Sequence, residues 1–143
     1  MNKKGEIILI EDDRDDQLLI LDILKEMNIR NKLIMLSDGA EAFSYFSNNT
    51  LDPFLIISDI NMPRMNGIEL RDKMQTEGAM KLRTVPFLFL TTSTAQHNVL
   101  IAYMHSVQGF FRKSADYEGM KKTFQHIIQY WTECVEPTFS NKN

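Results

Sequence analysis

Short apolar runs alternate with longer amphipathic segments along the whole chain. Glu6–Ile10, Leu33–Leu36, Phe54–Ile57, Phe87–Leu90 and Gly109–Arg112 are too short for helices and are bounded by polar or turn residues, so they predict five strands. Between the first two lies Arg14–Met27, with apolar residues at Leu18, Leu21 and Leu24 and again at Ile20, Ile23 and Met27, the broad stripe of a helix packed on a core. Ala40–Ser47, Ile68–Thr76, Ala95–Met104 and Tyr117–Cys134 predict four more helices. In the last, Tyr117, Met120, Phe124, Ile127, Ile128, Trp131 and Val135 recur at steps of three and four. Punctuation agrees: Ser37-Asp38-Gly39 offers a turn and a helix cap, and Pro63 and Gly67 break the chain after the third strand. Gly78 ends the third helix and leaves a loop to Pro86, and Pro137 stops the last helix. Strands alternating with helices in this way imply a parallel sheet with right-handed crossovers and helices on both faces, an α/β three-layer sandwich.

The strand ends carry the chemistry. Strand one runs into Glu11-Asp12-Asp13, strand three into Asp59, strand four into Thr91-Thr92-Ser93 and strand five into Lys113. In a parallel sheet these ends share one edge, where ligands bind. An aspartate after a strand often does no more than end it; four polar ends on one rim ask for more. Crowded carboxylates raise one another's pKa unless a cation compensates, and a divalent ion that favours oxygen, Mg²⁺ first, fits. A lysine and a hydroxyl beside them suit the oxygens of a phosphoryl group. Asp13, Asp15 and Asp16 are expected to do no more than place favourable acids in the first turn of helix one. His97, His105 and His126 show no ligand spacing, and Met62, Met65, Met74 and Met80 read as core and loop filler.

Composition narrows the field. The chain has 143 residues, 43% of them hydrophobic, enough for one domain with a real core. A net charge of −3, with no basic cluster longer than a pair such as Lys3-Lys4 or the short Lys81–Arg83 segment, argues against nucleic acid and anionic membrane as partners. The single cysteine, Cys134, excludes an internal disulfide and disfavours a thiolate zinc site. No apolar stretch approaches a membrane span and no export signal stands at the start, so a cytoplasmic protein is expected.

These residues resemble the receiver domain of bacterial two-component response regulators. The resemblance runs from Ile7-Ile8-Leu9-Ile10-Glu11-Asp12-Asp13 to the last helix. It is densest in Asp59-Ile60-Asn61-Met62-Pro63-Arg64-Met65-Asn66-Gly67, similar to the family's phosphoacceptor loop, in Val85–Ser93, similar to its fourth strand, and in Gly109-Phe110-Phe111-Arg112-Lys113, similar to its fifth. Tyr130-Trp131 and the short tail also resemble the small regulators that partner phytochrome-type kinases. The resemblance implies a flavodoxin-like (βα)5 fold with strand order 2-1-3-4-5. It implies a receiver domain over 1–136, a tail over 137–143 and no output domain. Asp59 would accept a phosphoryl group from a sensor histidine kinase or phosphotransfer protein, and Glu11, Asp12, Asp59 and Asn61 would bind Mg²⁺, with Mn²⁺ as an alternative. Lys113 and Thr91 would bind phosphoryl oxygens, and Thr91 would be drawn inward, leaving space for Phe110 to rotate and rebuilding the face of the fourth helix, strand five and the last helix for a downstream protein. Self-phosphorylation from small donors and autodephosphorylation belong to the same expectation.

Three residues depart from the family's pattern. Ser114 follows the lysine where proline is usual, and a cis peptide before a non-proline residue costs about 2.5–4 kcal/mol, so Lys113–Ser114 is expected to be trans. Phe110 lacks the hydroxyl of the common tyrosine, and Thr92 is bulkier than the usual small residue. Two alternatives stand beside this reading. A haloacid-dehalogenase-type phosphatase would want an acid two residues after Asp59, where Asn61 stands. A phosphorylation-independent pseudo-receiver would be expected to have lost Asp59, the acidic pair or Lys113. Tyr130 and Cys134 widen the apolar surface of the last helix, which with Phe110 or Phe111 on strand five predicts a homodimer through that face.

Overall fold

The computed structural model describes residues 1–78, 80–92 and 96–137. Five strands form one parallel sheet: β1 (Ile7–Ile10), β2 (Leu33–Leu36), β3 (Leu55–Ser58), β4 (Phe87–Thr91) and β5 (Gly109–Arg112), in the order β2-β1-β3-β4-β5. The helices are α1 (Arg14–Glu26), α2 (Gly39–Asn48), α3 (Gly67–Glu77), α4 (Met80–Arg83), α5 (Gln96–Met104) and α6 (Tyr117–Glu133). This is the expected flavodoxin-like sandwich. Strand pleating sends alternate residues to opposite faces. Ile8, Ile10, Ile56, Phe87 and Phe89 pack under α2, α3, α4 and α5. Ile7, Leu9, Leu55, Ile57, Leu88 and Leu90 pack under α1 and α6. The β1–β3 register pairs Ile10 with Ser58, so Glu11 and Asp59 leave the sheet side by side.

Several local expectations shift. The segment after Gly78, expected as a loop, contains the single-turn helix α4, held by Leu82, which is buried in the core; one turn is too short to leave a periodic pattern. β4 extends one residue further, because Thr91 pairs in the ladder with Arg112. Leu18 points out of α1 and is half-exposed, while Gln17 turns inward, its amide donating to the Glu11 carbonyl at 2.6 Å. On α6 the buried stripe is Met120, Phe124 and Ile127. Val135 lies past the helix end and is 94% exposed, so it leaves the stripe assigned to it. Met62 and Met74 are buried as expected. Ser93 and Ala95, and the tail beyond Pro137, lie outside the described residues. Among the described residues no helix is long and apolar enough to cross a membrane.

Candidate functional site

The carboxyl edge of the sheet gathers Glu11 from β1, Asp59 from β3, Thr91 from β4 and Lys113 from β5. One oxygen from each of Glu11, Asp12 and Asp59 falls within 4.8 Å of the others. The cluster is graded in exposure: Glu11 is buried, Asp59 half-buried and Asp12 exposed, so it opens outward through Asp12. The Asp59 backbone N–H donates to the Ile10 carbonyl at 2.9 Å, and its Oδ1 accepts from the Ile60 N–H at 2.7 Å, which fixes the side chain against its own loop.

Lys113 bridges the cluster. Its Nζ donates to Asp59 Oδ2 at 2.9 Å, to Asp16 Oδ2 at 2.8 Å and to Glu11 Oε1. The side chain is only 7% exposed, so these charges meet with little water between them. Burial alone would lower the Lys113 pKa, but the hydrogen bonds it donates to Asp16, Glu11 and Asp59 outweigh burial and raise it above the ordinary lysine range. The ammonium therefore keeps its proton. The Glu11 carboxyl is pushed up to about 8, first by burial and then by the Asp59 charge, against the opposing hydrogen bond from Lys113. Its Oε2 is buried with no hydrogen-bond partner. Just behind, a cavity of about 10 Å³, the scale of a single water, is lined by Glu11, Ser58 and Asp59 among apolar neighbours.

The loop after β3 is pinned from both ends. Arg64 sits in the left-handed region at φ 65°, and two bonds to Asp38 Oδ2, at 2.9 and 2.5 Å, offset that strain. Burial would raise the Asp38 carboxyl, yet the Glu41 backbone N–H and Arg64 hold it below its usual range. At the far end Asn66 and Glu69 close a capping box on α3. Gly67 lets the helix start against the site, since a Cβ there would lie 2.2 Å from the Asp59 carbonyl oxygen.

Of the expected site residues, Glu11, Asp12, Asp59 and Lys113 come together. Asn61 stands exposed in the loop two residues past Asp59. Thr91 is buried at the end of β4, its carbonyl accepting from the Lys113 N–H at 2.8 Å. Phe110 is half-buried and meets Phe89 edge to face at 6.1 Å. Thr92 is exposed at the rim. No peptide bond among the described residues is cis, so Lys113–Ser114 is trans, as the intrinsic cost predicts. One assignment needs correction: Asp16, read as a favourable first-turn acid, reaches Lys113 across the gap between α1 and β5. A helix-dipole explanation covers any acid at that position, so only the distance reveals the contact.

A sequence model of the response regulator receiver domain matches residues 7–125. This chain belongs to that family. The receiver domain is 31% identical over 139 residues to response regulator Rcp1 of Synechocystis sp., covering 94% of this chain and 93% of that one. In structure it resembles the phosphorylated cyanobacterial phytochrome response regulator RcpA, with a TM-score of 0.83 and 25% identity over 94% of this chain and 99% of the other. It also resembles the Mn²⁺-bound form of Rcp1, with a TM-score of 0.81 and 28% identity over 94% and 99% of the two chains. Phosphorylation of an aspartate with Mg²⁺ is typical of the family, as is exchange with histidine kinases or phosphotransfer proteins. The receiver domain is thus a signalling protein of a two-component system rather than an enzyme acting on a separate substrate.

Proposed function

We propose that Asp59 is the phosphoacceptor of this response regulator and that Glu11, Asp12, Asp59 and the main-chain carbonyl of Asn61 hold the divalent cation. The observation that carries the reading is Lys113 Nζ, bonded to Asp59 Oδ2 at 2.9 Å beside a cluster of three carboxylates. The fit to a hard cation rests on the donor set, which is oxygen throughout, and on Glu11 Oε2, a buried oxygen without a partner. When bound, Mg²⁺ or Mn²⁺ supplies neutralisation of the charge that develops on the transferring group.

The remaining work falls to the chain. Asp59 Oδ2 attacks phosphorus as the P–N bond of a phosphohistidine breaks; the electron pair stays on the imidazole, which takes up a proton, and an acyl phosphate forms. Lys113 enters with its proton held and turns from Asp59 to a phosphoryl oxygen. Thr91 donates its hydroxyl to another oxygen, and its inward movement lets Phe110 leave Phe89. The face formed by α5, β5 and α6 is thereby rebuilt for a downstream protein, a population shift driven by contacts that only the phosphoryl group makes. Small phosphodonors serve in place of the kinase, and the same site hydrolyses the acyl phosphate. The reading extends to self-association through α6 and β5, supported by Tyr130, which is 62% exposed and stacks edge to face on Trp131.

Intact-protein mass spectrometry after incubation with a small phosphodonor and Mg²⁺ tests the acceptor. One phosphoryl group is expected, none with chelator and none in Asp59→Asn. Phosphorylation that survives Asp59→Asn would overturn the assignment, and a chain that never takes up phosphate would instead be a phosphorylation-independent binding module.

A further inference from the structure

An ammonium has three N–H donors, and in Lys113 the carboxyl oxygens of three acidic side chains take them: Glu11, Asp16 and Asp59. Two of these partners must change role when the site works, on the reading just given, from which this inference starts. Glu11 and Asp59 both belong to the oxygen cluster that suits a divalent cation, and Asp59 also becomes an acyl phosphate. Asp16 does neither, since its carboxylate is not part of that cluster. Its backbone is fixed independently, because its N–H is capped by Asp13 Oδ1 at 3.0 Å in the first turn of α1. From there the side chain reaches Lys113 at 2.8 Å while itself 32% exposed. Lys113 stands on a long flexible stem, followed by Ser114 rather than a ring-constrained residue, so its aim depends on what its head group touches. We propose that Asp16 is a positioning residue for Lys113: the one anchor that keeps the ammonium aimed at the phosphoryl site while its other two partners are drawn away.

The anchor and the bare charge of Asp16 act in opposite directions, which makes the idea decidable. A carboxylate near the site repels an incoming anion, so removing that charge by itself favours anion binding. Losing the anchor disfavours it, because Lys113 must then be ordered as the anion arrives. The test is a ¹⁹F NMR titration of the full chain with beryllofluoride, a phosphoryl mimic, at saturating Mg²⁺. Asp16→Asn is expected to bind it about three- to tenfold more weakly than the unaltered protein, and Asp16→Glu to recover most of that loss. In a Lys113→Ala background, Asp16→Asn is expected to leave the affinity equal or tighter. Unchanged or tighter binding in Asp16→Asn alone, or the same loss in both backgrounds, overturns the proposal. Thermal unfolding checks each variant, and if Asp16→Asn fails to fold, Asp16→Gln takes its place with the same expectations. Asp59→Asn separates this inference from the reading beneath it. Binding that persists in that variant, or none in the unaltered protein, overturns the phosphoacceptor assignment and the anchor together.

Discussion

Glu11 ionises near 4.5 in an unfolded chain and near 8 in the folded one, so over that window the folded protein holds a proton that the unfolded chain has released. The sign follows: the contribution of this group to stability is complete below about 4.5 and is lost as the pH rises through about 8. Lys113, raised above its ordinary range, titrates well above this window and does not offset the loss. In the presence of chelator, the melting temperature is therefore expected to fall from about pH 5 to pH 8 more steeply than in Glu11→Gln. Added Mg²⁺ is expected to reverse the trend and to release up to one proton at neutral pH. Calorimetry in buffers of different ionisation enthalpy measures that proton, and identical pH profiles for the two proteins would contradict the assignment. At this scale the sequence was legible wherever a polar residue abutted an apolar run, as with Glu11, Asp59, Thr91 and Lys113. Asp16 was not legible in this way, because its partner lies across a gap that local spacing does not encode.

The element that most constrains the site is α3. Its first residue, Gly67, has no room for a side chain, since a Cβ would stand 2.2 Å from the Asp59 carbonyl and 2.7 Å from Phe89 Cε1. Gly67→Ala is expected to destabilise the fold by about 1–3 kcal/mol in urea unfolding and to slow phosphorylation of Asp59, because the helix must retreat from the loop. One turn further on, Arg71 is almost wholly buried and lies over the Phe87 ring at 5.0 Å. Its guanidinium donates to the His105 carbonyl at 3.2 Å and the Ser106 carbonyl at 2.8 Å, tying α3 to the end of α5. Burial lowers its pKa only to about 10, so it stays charged at neutral pH. Arg71→Met is expected to cost about 2–4 kcal/mol in urea unfolding, because both carbonyls lose a charged donor. A loss under about 1 kcal/mol would show that solvent replaces it readily. Helices with full stripes, such as α1 and α6, could be read from the sequence. The single turn of α4 could not, nor could the outward rotation of Leu18, because a broad apolar face does not say which of its edges meets the core.

On the scale of the whole molecule, four of the six large apolar side chains exposed among the described residues lie on α5 and α6, Leu100, Tyr103 and Met104 on the first and Tyr130 on the second, while Leu18 lies on α1 and Val135 past the end of α6. Self-association through the α6 and β5 face predicts a dimer in sedimentation at micromolar concentration with Mg²⁺ and phosphodonor, lost on Tyr130→Glu. A monomer under every condition would remove the proposal, as would a dimer indifferent to that change. The layering was legible because strands alternating with helices imply a parallel sheet covered on both faces, whereas the strand order came only with the family resemblance. A contact between copies leaves no comparable pattern, because an exposed aromatic is also an ordinary surface residue.

The two packed layers have a practical consequence for anyone following this protein by light. Its single tryptophan, Trp131, packs on the α1 and α6 side of the sheet, whereas Phe89 and Phe110 lie on the other side, with the strands between them. Indole emission should thus be a sound gauge of unfolding and a deaf one to the ring movement near Thr91. Yet Trp131 touches Tyr130, the residue expected to meet a second copy. Any fluorescence change on adding phosphodonor should then grow with protein concentration, because the indole would be registering company rather than activation.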